Sequence, residues 1–410
     1  MPIKARLLFF DFITHFGGAQ KSTALLLKKL KDRYDIRVVD AYGYCQPYLE
    51  EIAAGGLKAE ILIPRSIDVV IGHGGRKLLR FTALLRQMPD LLLLTKRLMI
   101  AIQDFEPQLI WTNNIKSFFF LWLCAHRRRV SLGLYAHGWY HESLVPRWQR
   151  LLVRKAADIV FAVSNPTKEA MGAWGMDRNK IAVVFATVEG EARLQLRGNE
   201  WAAQRGIASR FIILVPGTLL FSKGQHLVLE AAEILKGQGR EFEVWFAGDT
   251  GVGDGSNYRE RLKRMASVPG MRERIHFLGW RSDLPDLMTR ASVVVLPTYT
   301  EGLPMVIQEA LLLKKPVIST PVGGIPDLIQ DGRSGFLFPV GDSAELCRKI
   351  VWVMENRDIA ERVAEQGCRR YKCLLSAERQ IDLFCRAVEK AIAETTGIPV
   401  IETASQTLKM

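Results

Sequence analysis

Four stretches of this chain carry residue types and spacings able to do chemistry. Phe16-Gly17-Gly18-Ala19 follows an apolar run and opens a segment of helical pattern. Glycines there permit a tight turn, and a helix N-terminus carries roughly half a positive charge, suited to a phosphate. A glycine pair after a strand also serves simply as a turn, so this stretch alone leaves both readings open. Gly217-Thr218-Leu219-Leu220-Phe221-Ser222-Lys223-Gly224 stands at another strand end, with Lys223 placed to reach an anion. The helix dipole disfavours a cation at such a start, and a phosphate would supply the reason for it. Thr298–Ala310 follows the apolar run Val293–Pro297, with Glu301 at the strand end. Gly302-Leu303-Pro304-Met305 then begins a helix whose free N–H groups can hold an anion. Glu301 reads equally as a helix-start acid stabilised by the dipole. Glu309 is a carboxylate beside Ala310-Leu311-Leu312-Leu313 and needs a partner, which sugar or ribose hydroxyls would provide. His137 closes Leu134-Tyr135-Ala136, either serving a ligand or satisfied by a backbone carbonyl.

What is missing narrows the chemistry. There is no Asp-x-Asp for a divalent cation on a diphosphate, no Walker A loop and no Gly-x-Ser-x-Gly elbow. Gly-x-Gly-x-x-Gly is absent at the first strand. NTPase, α/β-hydrolase and dinucleotide dehydrogenase readings lose ground accordingly. The six cysteines form no Cys-x-x-Cys pair and no zinc spacing, so they read as reduced thiols, with no metal expected.

The elements that must position these residues alternate along 410 residues. Short β-type runs are expected near Leu7–Asp11, Ile36–Asp40, Ala59–Ile63, Leu109–Thr112, Leu132–His137, Ile159–Ser164 and Ile181–Phe185. A second alternation covers Phe211–Pro216, Phe242–Ala247, Ile275–Leu278, Val293–Pro297, Val317–Ser319 and Gly335–Phe338. Helical periodicity lies between, including one long helix over Gly75–Phe105 and three closing helices from Ser343. The pattern predicts an α/β chain with two parallel, doubly wound sheets. The expected division is a domain at 1–188, a connection at 189–209 and a second domain at 210–375. Residues 376–410 would form a helix crossing back to the first domain, plus a tail. Two facing domains would put the active site in the cleft between them.

Charge is uneven. The chain carries +13, and residues 1–200 hold 29 basic against 18 acidic residues, whereas 201–410 hold 27 against 25. Basic clusters include Arg127-Arg128-Arg129 and Arg147, Arg150, Arg154, Lys155. Such an excess either solvates a surface or attracts an anionic partner, a phospholipid surface among them. No zinc-finger, RRM or basic-zipper pattern supports nucleic acid. The apolar run Leu7–Ile13 contains Asp11 and lacks a cleavage site, so it reads as a strand in a cytoplasmic protein.

At these residues the sequence resembles the GT-B glycosyltransferases, specifically glycosyltransferase family 4. The shared pattern is Glu301, seven residues, then Glu309, within EGLPMVIQEAL. It continues through Lys315-Pro316-Val317 to Gly323-Gly324-Ile325-Pro326-Asp327, then Asp331-Gly332-Arg333-Ser334-Gly335-Phe336-Leu337. The resemblance implies two Rossmann-like domains, with C-terminal helices at their junction. It implies retaining, metal-independent sugar transfer from a nucleotide-diphosphate sugar to an acceptor hydroxyl, for cell-surface polysaccharide or glycolipid. Glu309 would hold the ribose, Glu301 the donor sugar, Lys223 the diphosphate, and the Leu303 and Met305 N–H groups the diphosphate or sugar. Gly217, Thr218 and Gly302 would line the donor site, Gly18 would let the first loop approach, and His137 would bond the sugar. The family's usual Arg after the first glycine of the second domain is Thr218 here, a hydroxyl in place of a guanidinium fork. A GT-B epimerase or hydrolase, or a non-catalytic nucleotide-sugar-binding homologue, would share much of this pattern. The acceptor would be a saccharide or lipid-linked saccharide, and the protein peripheral at the cytoplasmic membrane face.

Overall fold

The computed structural model describes residues 4–14, 16–64, 77–126, 128–188, 211–250 and 255–397. The connection expected at 189–209, the tail beyond 397 and the start expected for the long helix at Gly75 lie outside the described residues. The chain divides into two units, Met1–Ala186 with Glu378–Met410, and Thr187–Ala377.

The first unit is built on seven parallel strands in the order β3-β2-β1-β4-β5-β6-β7. These are β1 (Arg6–Asp11), β2 (Asp35–Asp40), β3 (Ala59–Ile61), β4 (Leu109–Thr112), β5 (Ser131–Ala136), β6 (Ile159–Ala162) and β7 (Ile181–Val183). Central strands read as unbroken apolar runs because both faces are covered, as parallel sheets require. Leu8, Phe10, Ile110, Leu134 and Val160 share one core cluster with residues of four helices. Those are α3 (Lys77–Phe105), α4 (Ile115–Ala125), α5 (Arg147–Ala156) and α6 (Asn165–Ala173). Two further helices, α1 (Gly18–Leu30) and α2 (Gln46–Ala54), connect β1 to β2 and β2 to β3.

The second unit has six parallel strands in the order β10-β9-β8-β11-β12-β13. They are β8 (Phe211–Pro216), β9 (Phe242–Ala247), β10 (Ile275–Gly279), β11 (Val293–Leu296), β12 (Val317–Ser319) and β13 (Phe336–Leu337). Its helices are α7 (Gln225–Gly237), α8 (Gly255–Ala266), α9 (Leu284–Arg290), α10 (Met305–Leu312), α11 (Ile325–Leu328), α12 (Ser343–Glu355) and α13 (Arg357–Leu374). Strand order reverses between β1 and β4 in one unit and between β8 and β11 in the other. Chain direction diverges there, opening a crevice at the strand ends where ligands of open α/β sheets bind.

The last helix, α14 (Ala377–Thr396), packs on the first sheet. Its Phe384 ring stacks on Phe161 at 4.3 Å and meets Trp111 edge-on at 5.8 Å. Ser131 Oγ donates to the Ala391 carbonyl at 3.1 Å, and Arg33 pairs with Asp382 at 2.7 Å. No disulfide joins the six cysteines, of which five are buried and Cys373 is exposed. No described helix is long and apolar enough to cross a membrane. Because Phe384 is fully buried among three aromatic rings, Phe384→Ala should cost about 3–5 kcal/mol. Denaturant titration of the two proteins reads that difference; a change below about 1 kcal/mol would mean the helix contributes little to the first unit.

Candidate active site

In the second unit the chain leaves β8 through Gly217 and Thr218 and forms a 3-10 turn, Phe221–Lys223. Gly224 follows with φ 71°, and α7 begins only at Gln225. Lys223 therefore precedes the helix and is not part of its first turn. Its reason for being there, within the chain, is a carboxylate: Nζ lies 2.5 Å from Glu301 Oε1 in the loop after β11. Both side chains are partly buried, where such a pair is screened less than at the surface.

Backbone bonds set that distance. The Ser222 carbonyl accepts from Tyr299 N–H at 2.8 Å and from Thr298 Oγ1 at 3.0 Å, tying the Lys223 turn to the Glu301 loop. Thr320 Oγ1 in turn donates to the Thr298 carbonyl at 2.6 Å. Rings lock the same junction. Phe221, His226 and Tyr299 stack nearly parallel, at centroid separations of 4.9 Å and 5.5 Å from Phe221. Tyr258 O–H accepts from His226 N–H at 3.0 Å and lies 2.9 Å from Nδ1. With its proton spent on Nδ1, His226 Nε2–H is left to donate to Tyr299 Oη at 3.2 Å. Burial pushes the His226 pKa down, which agrees with a neutral ring.

Close backbone approach explains two glycines. A Cβ on Gly224 would stand 1.9 Å from the Pro297 carbonyl oxygen, and one on Gly323 only 1.8 Å from the Glu301 carbonyl oxygen. Gly323 has φ 51°, and its neighbour Gly324 donates to Gly302 O at 2.7 Å. Pro304 is the N-cap of α10, with ψ 121°, so the helix starts at Met305, one residue later than the pattern implies. The N–H groups of Met305, Val306 and Ile307 then have no partner inside the helix, the general condition of a first turn. Leu303 is buried just before them, and Glu309 lies on α10 with partial exposure. Thr218 is partly exposed and its carbonyl takes a bond from Gln225 Nε2 at 2.9 Å.

The first unit assembles a separate group at its own reversal point. His137 follows β5, and its Nε2 lies 3.5 Å from Thr23 Oγ1 on α1, the helix that Gly18 opens. Thr23 donates its one proton to the Ala19 carbonyl at 2.8 Å and accepts from Asn113 Nδ2 at 2.8 Å. The long contact to His137 is thus one in which Nε2–H donates, leaving Nδ1 with its lone pair. Burial pushes the His137 pKa down to about 3, so the ring is neutral. In the same unit Asp11, at the end of β1, accepts from Phe12 N–H at 2.8 Å, from Ser117 Oγ at 2.5 Å and from Asn114 Nδ2. Burial pushes Asp11 up to about 6 against those bonds.

The comparisons with known proteins follow this geometry. The profile described as "Glycosyl transferases group 1" matches residues 199–370, and that described as "Glycosyltransferase Family 4" matches residues 16–189. The chain belongs to the group 1 GT-B glycosyltransferases. This family member is 26% identical over 229 residues to the alpha-D-kanosaminyltransferase of Streptomyces kanamyceticus, covering 54% of this chain and 58% of that one. It is 25% identical over 245 residues to an Escherichia coli UDP-Gal:alpha-D-GlcNAc-diphosphoundecaprenol alpha-1,3-galactosyltransferase, 57% of this chain and 62% of that one. The chain spans about half the length of the curated relatives it matches. Its fold matches the crystal structure of Anabaena HepE in complex with UDP-glucose, with a TM-score of 0.74 at 20% identity over 96% of this chain and 99% of that one.

The sequence pattern named Lys223, Glu301, Glu309 and His137 as candidates; the structure adds Thr23, Asn113 and Asp11, and the ring stack around His226, as polar and aromatic neighbours that the pattern did not name. Asn113-Asn114 between an apolar strand and an apolar helix was a readable helix-start signal. Among the described residues no cluster of three or more His, Cys, Asp or Glu could hold a metal ion. The raised Asp11 pKa sets a sign. Its contribution to stability is present in full below the ordinary value of 3.8 and is lost as pH rises through about 6. The wild-type melting temperature should therefore gain on that of Asp11→Asn as pH falls from 7.5 to 5, with His137 common to both. Parallel melting curves across that range would place the Asp11 titration elsewhere.

Proposed function

We propose that this chain moves a glycosyl group from a nucleotide-diphosphate sugar to an acceptor hydroxyl, with retention, in the synthesis of a cell-surface polysaccharide or glycolipid. The observation that carries the reading is the Lys223–Glu301 pair at the β8/β11 reversal, beside the open start of α10. A cation held by one carboxylate is a site an incoming diphosphate can enter, taking Lys223 and freeing Glu301 for the donor sugar. Backbone N–H groups at Leu303 and Met305 point their dipoles at the same anion, and Glu309 accepts from the ribose hydroxyls. Gly217, where an added Cβ would meet nothing within 4 Å, and Gly302 line the donor site in this reading. The HepE complex with UDP-glucose supports a nucleotide-sugar donor, and the diphosphoundecaprenol acceptor named for the Escherichia coli relative supports a lipid-linked saccharide.

In the reaction, the bond from the sugar's anomeric carbon to the diphosphate oxygen breaks while the acceptor oxygen bonds the same face. The acceptor proton passes to the departing phosphate oxygen, and a nucleoside diphosphate leaves. Charge that grows on the diphosphate meets Lys223 and the helix start, groups already oriented before reaction. Neutral His137 offers Nδ1 to a donor-sugar hydroxyl; it is not an acid at neutral pH. Thr218 brings no second cation, so Lys223 carries more of the charge than in relatives with Arg there.

Glu301→Ala and Lys223→Ala should lower kcat/KM by roughly 10–1000-fold, Lys223→Ala towards the larger figure, while Glu309→Ala should mainly raise the donor KM. Near-wild-type turnover in all three would remove the assignment. The reading also requires no metal or other cofactor, so activity should survive EDTA. Loss restored only by added Mn²⁺ or Mg²⁺ would show that a cation, and not Lys223, stabilises the leaving group.

A further inference from the structure

We propose that Thr23, Asn113 and His137 form a subsite of the first unit that takes two hydroxyl groups of the donor sugar as hydrogen-bond donors. This subsite rests on the reading, proposed above, in which His137 meets that sugar; Asn113 becomes a second recognition residue and Thr23 the group that orients both. Thr23 Oγ1 is the centre. The residue is fully buried, and its hydroxyl proton is committed to the Ala19 carbonyl at 2.8 Å. A hydroxyl has one proton and two lone pairs, so what remains can only accept. Asn113 Nδ2 donates to it at 2.8 Å, and His137 Nε2 stands 3.5 Å away.

That oxygen turns both neighbours the same way. With the Asn113 amide reversed, Oδ1 would face an oxygen that has no proton to give, so Nδ2 points at Thr23 and Oδ1 does not. With its proton on Nδ1, His137 would bring a second lone pair against Thr23 Oγ1. The two atoms left over, Asn113 Oδ1 and His137 Nδ1, are therefore both acceptors. Asn113 is 5% exposed, and its Oδ1 has no hydrogen-bond partner among the described residues. A buried acceptor without a donor carries a desolvation cost that the fold does not return, and a ligand hydroxyl would offset it. The Tyr135 ring packs on His137 at a centroid distance of 4.4 Å, while Tyr135 Oη donates to the Val184 carbonyl at 3.0 Å. The imidazole is thus held against a ring that is itself anchored. Burial pushes the His137 pKa down to about 3, so protonation does not turn Nδ1 into a donor near neutral pH. Two acceptors gathered on one oxygen select a ligand that brings protons. Sugar hydroxyls do so, whereas an ionised phosphate or carboxylate brings only further lone pairs.

Fluorinated sugars test that polarity, because a C–F group cannot donate a hydrogen bond. The full chain is titrated calorimetrically with UDP, UDP-glucose and the UDP-glucose analogues fluorinated at C2, C3, C4 or C6. At least two analogues should bind about three- to tenfold more weakly than UDP-glucose, the loss expected for one neutral hydrogen bond. Asn113→Ala should abolish the penalty for one of them, with UDP affinity and far-UV circular dichroism unchanged. Nitrogen-15 NMR of the imidazole reads the tautomer without ligand. His137 should carry its proton on Nε2 in wild type and in Thr23→Ser, and shift towards Nδ1 in Thr23→Val, which a mere packing role for Thr23 would not cause. All four analogues binding like UDP-glucose, equal penalties in Asn113→Ala and wild type, or wild-type His137 protonated on Nδ1 would each overturn the proposal. If wild type bound neither UDP nor UDP-glucose, the donor reading itself would fail and this subsite with it. Normal binding of both with no fluorine penalty would remove the subsite alone.

Discussion

The second unit of this protein turns on one carbonyl, that of Ser222. It accepts from Tyr299 N–H and Thr298 Oγ1, and through those two bonds the turn after β8 is fixed to the loop after β11. A partly buried carbonyl that accepts two bonds resists sliding, since breaking either leaves a polar group poorly satisfied. Everything chemical in that half is placed relative to it. Lys223 is the next residue along, Glu301 is two residues beyond Tyr299, and their charged groups meet because the two backbones cannot slide. The Phe221–His226–Tyr299 stack closes the same joint from its outer side.

The glycines make sense in that light. Gly224 and Gly323 stand where a side chain would strike the carbonyls of Pro297 and Glu301, so the loops approach as closely as backbone permits. Parallel topology brings them there: with β8 and β11 adjacent and their following segments diverging, the strand ends are left uncovered. The first unit solves the equivalent problem differently. Its reversal between β1 and β4 is filled by Asp11, Asn114 and Ser117, which cap α4, and by the Thr23–Asn113 bond beside His137. One reversal carries an ion pair and the other a network of hydroxyls and amides gathered on a single carboxylate, Asp11.

The outer helices of the first unit obey another constraint. A helix covering a sheet needs only a narrow apolar stripe, and α5 meets that need with Val153. Leu152 and Ala156 pack partly buried against the same core, while Trp148 and Leu151 stay exposed, Trp148 edge-on to Phe119.

Element order was written in the sequence because period-two and period-3.6 patterns are local properties, sensed within a few residues. Thus Leu7–Asp11, Phe211–Pro216 and Val317–Ser319 were each readable as strands with little error. Glu301, Glu309 and Lys223 stood out in the sequence as candidates, although Lys223 proved to precede the helix whose dipole had marked it. Partners were not readable, because they depend on segments distant along the chain. Nothing near Lys223 announces Glu301, and only the β8–β11 adjacency sets them 2.5 Å apart. Nor does the apolar pattern of α14 say which sheet receives it; the aromatic pocket of Trp111, Tyr135 and Phe161 decides that. The same holds for α5, whose stripe of Trp148, Leu151, Leu152 and Val153 fits a core or a membrane equally well as sequence. Tertiary packing divided it, burying Val153 and leaving Trp148 and Leu151 in solvent, because a sheet can cover only the side of a helix that faces it.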